Sequence, residues 1–338
     1  MTDAAWEALS NQAVAAAGVV YFLAMLSHLV EMSAARKIAE PVTSPTPTDG
    51  SVALVVDTED ARGDGVRRQA MFGRLGILLT VIAVGVHLLS LVARGLAADP
   101  NRVPWGNMYE FTLAGTFVVA ALYLALLRRY SLAWMAPIVV GVVLTLLMVG
   151  VIWLYAPIAP LTEALYSPWL VIHVVSAIIA TGAFTLGGIV SLLYLLKSRS
   201  RSSTGYLSRV PEPADLDRLS YKLHSFGFPV WTFAVLITGP IWAHQAWSTY
   251  WNWDPKEVWA FITFVVYAAY LHARATAGWR GRKAAMLALL GLATLWFNFI
   301  GINFFSSTSQ HSYAGAQTGE SAVVVRAGVV VPSLVEVP

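Results

Sequence analysis

Residues 242–259 read WAHQAWSTYWNWDPKEVW, and five of these eighteen positions are tryptophan: Trp242, Trp247, Trp251, Trp253 and Trp259. Asp254, Lys256 and Glu257 lie among them, in a chain that is only 12% charged. Tryptophan gathers in membrane-interface belts, which accounts for Trp6, Trp134, Trp153, Trp169 and Trp279 without any ligand. Five in eighteen residues exceed that need. Such a loop suits the gripping of a large flat ligand, since aromatic pairs contribute about 0.5–1.5 kcal/mol beyond area burial. Asp254-Pro255 supplies an N-cap followed by proline at the first helical position. Glu257, three residues after Asp254, completes a capping-box spacing with Asp in place of Ser or Thr. The aromatic loop is thereby tied to the start of a helix.

The elements that must position this loop are membrane spans. The chain has 338 residues, 57% of them hydrophobic, and a mean hydropathy of +0.63. Soluble domains are nearer half apolar and a quarter charged, so an all-α polytopic membrane protein is expected. Eight stretches carry the roughly 20 apolar residues that a crossing helix needs: 11–33, 72–94, 109–128, 132–155, 168–197, 224–247, 257–275 and 284–305. They form one transmembrane bundle over 1–338, with polar segments at about 34–71 and 198–223 and a tail over 306–338. Placing the 34–71, 129–131, 198–223 and 276–283 loops with their flanks inside puts 18 of the 22 basic residues on the cytoplasmic face, and leaves Arg94, Arg102, Lys256 and Arg326 on the other. The positive-inside rule then sets both termini, the tryptophan loop and the tail outside the cytoplasm. The net charge of +3 is spread over short loops between apolar runs and does not suggest nucleic acid. The absence of cysteine excludes disulfides, thiolate metal sites and thioether links on this chain.

This topology gives each of the seven histidines a depth. His173 lies about five residues into its span, near the outer face, and His311 follows the last span, also outside. His272 sits near the inner end of the span after Pro255, about 18 residues or about 27 Å below Asp254. One iron cannot be shared by His272 and the outer pair, so the pattern implies two sites or a ligand that moves between them. Ionisable residues inside spans are functional candidates by default, although a lone membrane histidine is as often a packing residue. His173 and His311 gain weight because both border the tryptophan loop, and two neutral imidazoles facing across a plane are what a bis-histidine haem requires. His28 and His224 are expected near the inner face, packing or meeting headgroups, and His87 lies mid-to-outer in the second span. A second outer patch, Val103 to Phe111, carries Glu110 at the start of the third span. A helix-dipole role explains Glu110, and closure of the outer cavity is the alternative for the patch.

At this point the residues resemble a known family. Trp242 to Glu257, with the YLHAR of 270–274, is similar to the tryptophan-rich WWD domain of cytochrome c biogenesis proteins, in the branch called CcsA or ResC (CcsB in some actinobacterial naming). WGNMYEF at 105–111 resembles the branch's outer motif, LDRLSYKLHSFGFP at 216–229 its inner loop, and NFFSSTSQHSYAG at 303–315 its terminal histidine segment. The resemblance implies a multi-pass subunit of the cytoplasmic membrane that binds haem b non-covalently. It would act as a System II cytochrome c haem lyase with a ResB-like partner, on an apocytochrome c bearing C-x-x-C-H. It also implies that His173 and His311 ligate haem iron at the outer face, and that His272 ligates it within the membrane. The mate of His272 would come from the partner, with His87 as the fallback within the chain. Trp242, Trp247, Trp251, Trp253 and Asp254 become cofactor-binding candidates, and no residue is assigned acid–base catalysis. His244 and Ser248 stand where the family pattern expects Asn and Gly, which argues against His244 as a ligand. A haem transporter or chaperone, and a quinone-linked cytochrome b subunit, are the alternatives. The latter wants paired histidines at matching depths and does not need the tryptophan loop.

Overall fold

A computed structural model describes residues 1–39, 58–160, 165–200, 205–306 and 309. Among the described residues the protein is all-helical. Eight helices are long and apolar enough to cross a membrane: Asp3–Ala34, Gly63–Leu96, Met108–Leu127, Leu132–Trp153, Pro168–Arg199, Pro213–Trp247, Pro255–Ala275 and Arg282–Phe305. These are the eight spans expected from hydropathy, named first to eighth below. Helical structure runs past several apolar cores. The first helix continues to Ala39 and the second begins at Thr58, so the ends of the expected 34–71 loop are helical. The sixth begins at Pro213, inside the expected 198–223 loop. Pro213 starts it because proline at the first position has no orphan donor to satisfy, and Leu216, Ser220, Leu223 and His224 form its buried stripe.

The spans pack as neighbours in a folded chain. The first lies along the second and touches the fourth; the third packs on the fourth and fifth; the fifth meets the sixth and eighth; the seventh closes against the sixth and eighth. The fifth span faces two cores. Leu186 and Val190 join Leu113, Val139, Val143 and Leu147 on one side, while Ala180 and Phe184 join Trp231, Tyr267 and Leu295 on the other.

His28, His87 and His224 are all fully buried, and none meets headgroups. His28 Nδ1 lies 3.0 Å from the carboxylate of Glu31, which also pairs with Arg209. His224 Nδ1 donates to the Ser220 carbonyl at 2.7 Å. Its ring fills the space left by Gly187, where a Cβ would come within 2.6 Å of it. His87 sits between Tyr21 of the first span and Phe117 of the third.

The patch from Val103 to Phe111 is anchored by a buried ion cluster. Glu110 accepts from Arg94 Nε at 3.0 Å, from Arg102 Nη1 at 2.7 Å and from the Gly106 amide at 2.7 Å. Asn107 caps the third span, its side chain accepting from the Glu110 amide at 2.9 Å. Glu110 is thus the tie between the second span, the 97–107 loop and the third span, more than a dipole charge. Glu110→Ala would leave two arginines buried beside no carboxylate, and a loss of about 3–5 kcal/mol is expected in denaturant or thermal melts of the detergent-solubilised protein. An unchanged melt would remove the cluster as the anchor of the loop. For orientation, the cysteine-free chain offers a clean assay. A cysteine at exposed Ser248 is expected to react with an impermeant maleimide on intact cells, and one at exposed Ser198 only after permeabilisation. The reverse pattern would invert the topology.

Candidate functional site

A cavity of about 360 Å³ opens at the end of the bundle that carries the tryptophan loop. It is lined by the third to eighth spans and by Tyr250 and Trp251 of the loop. Its size is that of small-molecule and cofactor sites, and so is its character, an apolar wall with a few placed polar groups. Those groups include His173, Lys256, Glu257, Asn298 and Asn303.

The fifth span starts at Pro168, with Ser167 as N-cap accepting from the Trp169 amide at 3.2 Å. This cap places His173 between one and two turns further on, against the sixth span. There the helix widens into a π-helical segment, Phe233–Thr238. The Ala234 carbonyl is drawn into a shared acceptor: it receives the Gly239 amide, the Thr238 hydroxyl at 3.0 Å and His173 Nδ1 at 2.9 Å. A carbonyl oxygen only accepts, so Nδ1 carries the proton and Nε2 holds the lone pair. That is the tautomer of a metal-ligating imidazole whose second nitrogen is fixed by the backbone. The ring stacks on Trp242 with an interplanar angle of 13° and centroids 6.1 Å apart. Gly239 permits the approach, since a Cβ there would lie 3.2 Å from the ring atoms of His173.

The five tryptophans divide. Trp242 is buried among Trp105, Leu170 and Val174 and lines the cavity, as does Trp251. Trp247 packs edge-on against Trp242 at 4.8 Å and Trp253 edge-on to Trp251 at 6.1 Å; neither lines the cavity. Trp253 has φ 58° and is 72% exposed. Trp259 packs on Phe297 of the eighth span. The indoles therefore brace the cavity as a layered edge-to-face set, with two at the wall. His244 stacks on Tyr250, exposed and off the cavity wall. Ser248, where the family pattern expects Gly, has φ 59°, the left-handed backbone that favours glycine.

Asp254 and Glu257 form the expected capping box: Asp254 accepts from the Lys256 amide at 2.8 Å, and Glu257 accepts from the Asp254 amide at 3.2 Å and the Asn252 amide at 2.9 Å. Asp254 is a helix cap and not a wall residue. It also accepts from the Ser309 hydroxyl at 2.8 Å, which fastens the chain after the eighth span to the loop. His311 lies outside the described residues. Lys256 is on the wall, its Nζ donating to Asn303 Oδ1 at 3.0 Å.

His272 is exposed at the end of the seventh span away from the tryptophan loop, 16 residues or about 24 Å from Lys256, and takes no part in the cavity. His87, the candidate mate within the chain, is enclosed by the first and third spans, whereas the seventh packs on the sixth and eighth. The two are therefore not brought together. Sequence reasoning missed Trp231, Trp296, Asn298 and Asn303, all on the wall. The signal was there for the asparagines, which are polar residues within an apolar span.

Fold and site together define a multi-pass helical membrane protein with an aromatic, histidine-bearing cavity at one end. Residues 105–309 match the family model described as cytochrome C assembly protein. The chain is 32% identical over 303 residues to the cytochrome c biogenesis protein CcsA of Synechococcus sp. (strain JA-2-3B'a(2-13)), covering 71% of this chain and 83% of that protein. It is 40% identical over 160 residues to CcsA of Chlamydomonas reinhardtii, covering 46% and 43% respectively. This chain belongs to the CcsA family of cytochrome c assembly proteins, as its motifs implied. Its fold is shared with a solved structure of the cytochrome c haem lyase CcmF, at a TM-score of 0.58 and 16% identity, covering 88% of this chain and 46% of that one. The chain thus spans a little under half the length of that protein.

The packing separates two tryptophans that the sequence treats alike. Trp242→Ala is expected to destabilise the protein by about 3–5 kcal/mol, and Trp253→Ala by no more than about 0.5 kcal/mol, in melts of the purified protein. Equal losses would contradict the layered arrangement.

Proposed function

We propose that this protein is the haem-presenting subunit of a System II-type cytochrome c synthase in the cytoplasmic membrane. The observation that carries the reading is His173, locked by the Ala234 carbonyl in the metal-ligating tautomer and stacked on Trp242 at the wall of an apolar cavity. Haem b is the cargo. His173 and His311 hold its iron at the outer face, and the attachment of Ser309 to Asp254 supports a path of the chain toward the loop just before His311. The exposed position of His272 supports a second ligation at greater depth, with the other histidine supplied by a ResB-like partner.

The chemistry is addition of the two thiols of a C-x-x-C-H motif across the two haem vinyl groups. Each sulfur bonds to one vinyl carbon and each thiol hydrogen passes to the other, so nothing is lost and no net oxidation occurs. With no cysteine of its own, the chain forms no competing thioether and holds haem without a covalent bond. Its contribution is positioning. Trp242 and Trp251 confine the ring, and the histidine of the apocytochrome motif displaces one of the protein's own ligands, which draws the product away. A cytochrome b role would require facing imidazoles inside the bundle. His28, His87 and His224 are each enclosed by separate neighbours.

The test is co-expression of the chain, with and without a ResB-like partner, beside an apocytochrome bearing C-x-x-C-H. Covalent haem product that needs both chains is expected. Haem transfer with no covalent product would favour a transporter or chaperone. His173→Ala is expected to strip most haem from the purified complex and to abolish the outer bis-histidine absorption bands. Unchanged bands would sink the outer assignment. His272→Ala is expected to stop cytochrome maturation, and normal maturation would remove the relay.

A further inference from the structure

We propose that Lys256, steadied by Asn303, is the carboxylate subsite of the cavity: it receives an acidic side group of the flat ligand and fixes which edge of that ligand faces the outer surface. The inference rests on the haem reading, because haem carries both propionates on one edge and its vinyl groups away from them. A synthase must present the vinyl edge to the incoming thiols, and a ring held only by axial ligands and flat aromatic contacts could rotate in its plane.

Four features of the wall support it. Lys256 lies in the first turn of the seventh span, directly after the capped loop, so its backbone position is set by the Asp254–Glu257 box. The ammonium group sits on the cavity wall and donates to Asn303 Oδ1 at 3.0 Å. Asn303 is held in turn, its Nδ2 donating to the Phe299 carbonyl at 2.6 Å. A cation fixed on a largely apolar wall attracts a carboxylate far more strongly than one in water, because the low dielectric weakens screening. Independently, Asn298 lies on the same wall, in the π-helical segment Phe297–Gly301 of the eighth span. Its Oδ1 is buried without a hydrogen-bond partner among the described residues. That oxygen only accepts, as does a carboxylate, so a water donating to both would bridge them. Lys256, Asn303 and Asn298 are thus polar groups on a wall that is otherwise mostly hydrocarbon and that also carries His173 and Glu257.

The experiment uses the purified full-length chain in lipid nanodiscs and two iron-free probes, protoporphyrin IX and its dimethyl ester, titrated by fluorescence. Neither probe engages the histidines through iron, so the readout isolates the edge of the ring. The wild type is expected to bind the diacid about tenfold more tightly than the ester. Lys256→Met is expected to erase that difference and Lys256→Arg to keep it, with matched melting temperatures showing that both variants fold. Should Lys256→Met unfold, Asn303→Leu, which removes the lysine's support, is expected to reduce the preference in its place. Equal binding of diacid and ester by the wild type, or a preference that survives in folded Lys256→Met, overturns the subsite while leaving the haem reading intact. If the wild type binds neither probe and does not bind haem, the haem reading itself falls, and the subsite with it.

Discussion

The hydrogen bond from His173 to the Ala234 carbonyl is the constraint around which the site is organised. In a hydrocarbon environment every backbone carbonyl needs a donor, and an unsatisfied one costs about 1–3 kcal/mol or more. A regular α-helix spends its carbonyls internally and has little to offer a side chain from a neighbouring span. The π-helical turn at Phe233–Thr238 changes that. It displaces the Ala234 carbonyl into a position where an amide, a hydroxyl and an imidazole share it. One local irregularity thereby fixes the tautomer of His173, its orientation, and the contact between the fifth and sixth spans. Trp242 sits three residues beyond Gly239, so the same turn that anchors the histidine also presents the indole that stacks on it.

The aromatic loop then has to be held as firmly as the histidine it covers. Its rigidity comes from the capping box, which uses both of its carboxylates on backbone amides, and from the layer of Trp105, Trp242 and Trp247. Beside it, Glu110 performs a similar service, drawing two arginines and a loop amide onto the start of the third span. Charged residues at this end are therefore mainly structural. They fix the rim of a cavity whose interior is apolar.

Much of this was readable from residue order, for identifiable reasons. The eight spans followed from composition because hydrocarbon thickness dictates length. The capping box followed from Asp254, Pro255 and Glu257 because it is local. The depth separation of His173 and His272 followed because helical rise is constant. The division of labour among the tryptophans was not readable: whether an indole lines a wall or faces outward depends on backbone angles such as the φ of 58° at Trp253, and a loop composition does not encode them. Neither π-helical segment interrupts hydropathy, so neither was visible. Glu110 looked like a dipole charge because its partners lie 16 and 8 residues earlier in the chain and meet it only after the second and third spans pack. Asn298 and Asn303 were accessible to the argument applied to the histidines, since a polar group in a span needs a reason, and only the ionisable residues were put to that test.

The asymmetry of the bundle carries the last step. At the end that carries the tryptophan loop, polar groups are drawn inward onto a shared cavity; at the opposite end, His272 is exposed while His224 is enclosed by Phe184, Tyr267 and Tyr270. An imidazole retained on the outer surface of a span near the membrane boundary gains nothing from the packing of its own chain. The buried histidines are the reverse case, since their packing accounts for them without a ligand. Depth alone would have ranked the seven histidines by position in the membrane. Among the six described histidines, burial separates those that the packing of this chain encloses, His28, His87 and His224, from exposed His244 and His272, while His173 is half-buried and oriented by the Ala234 carbonyl.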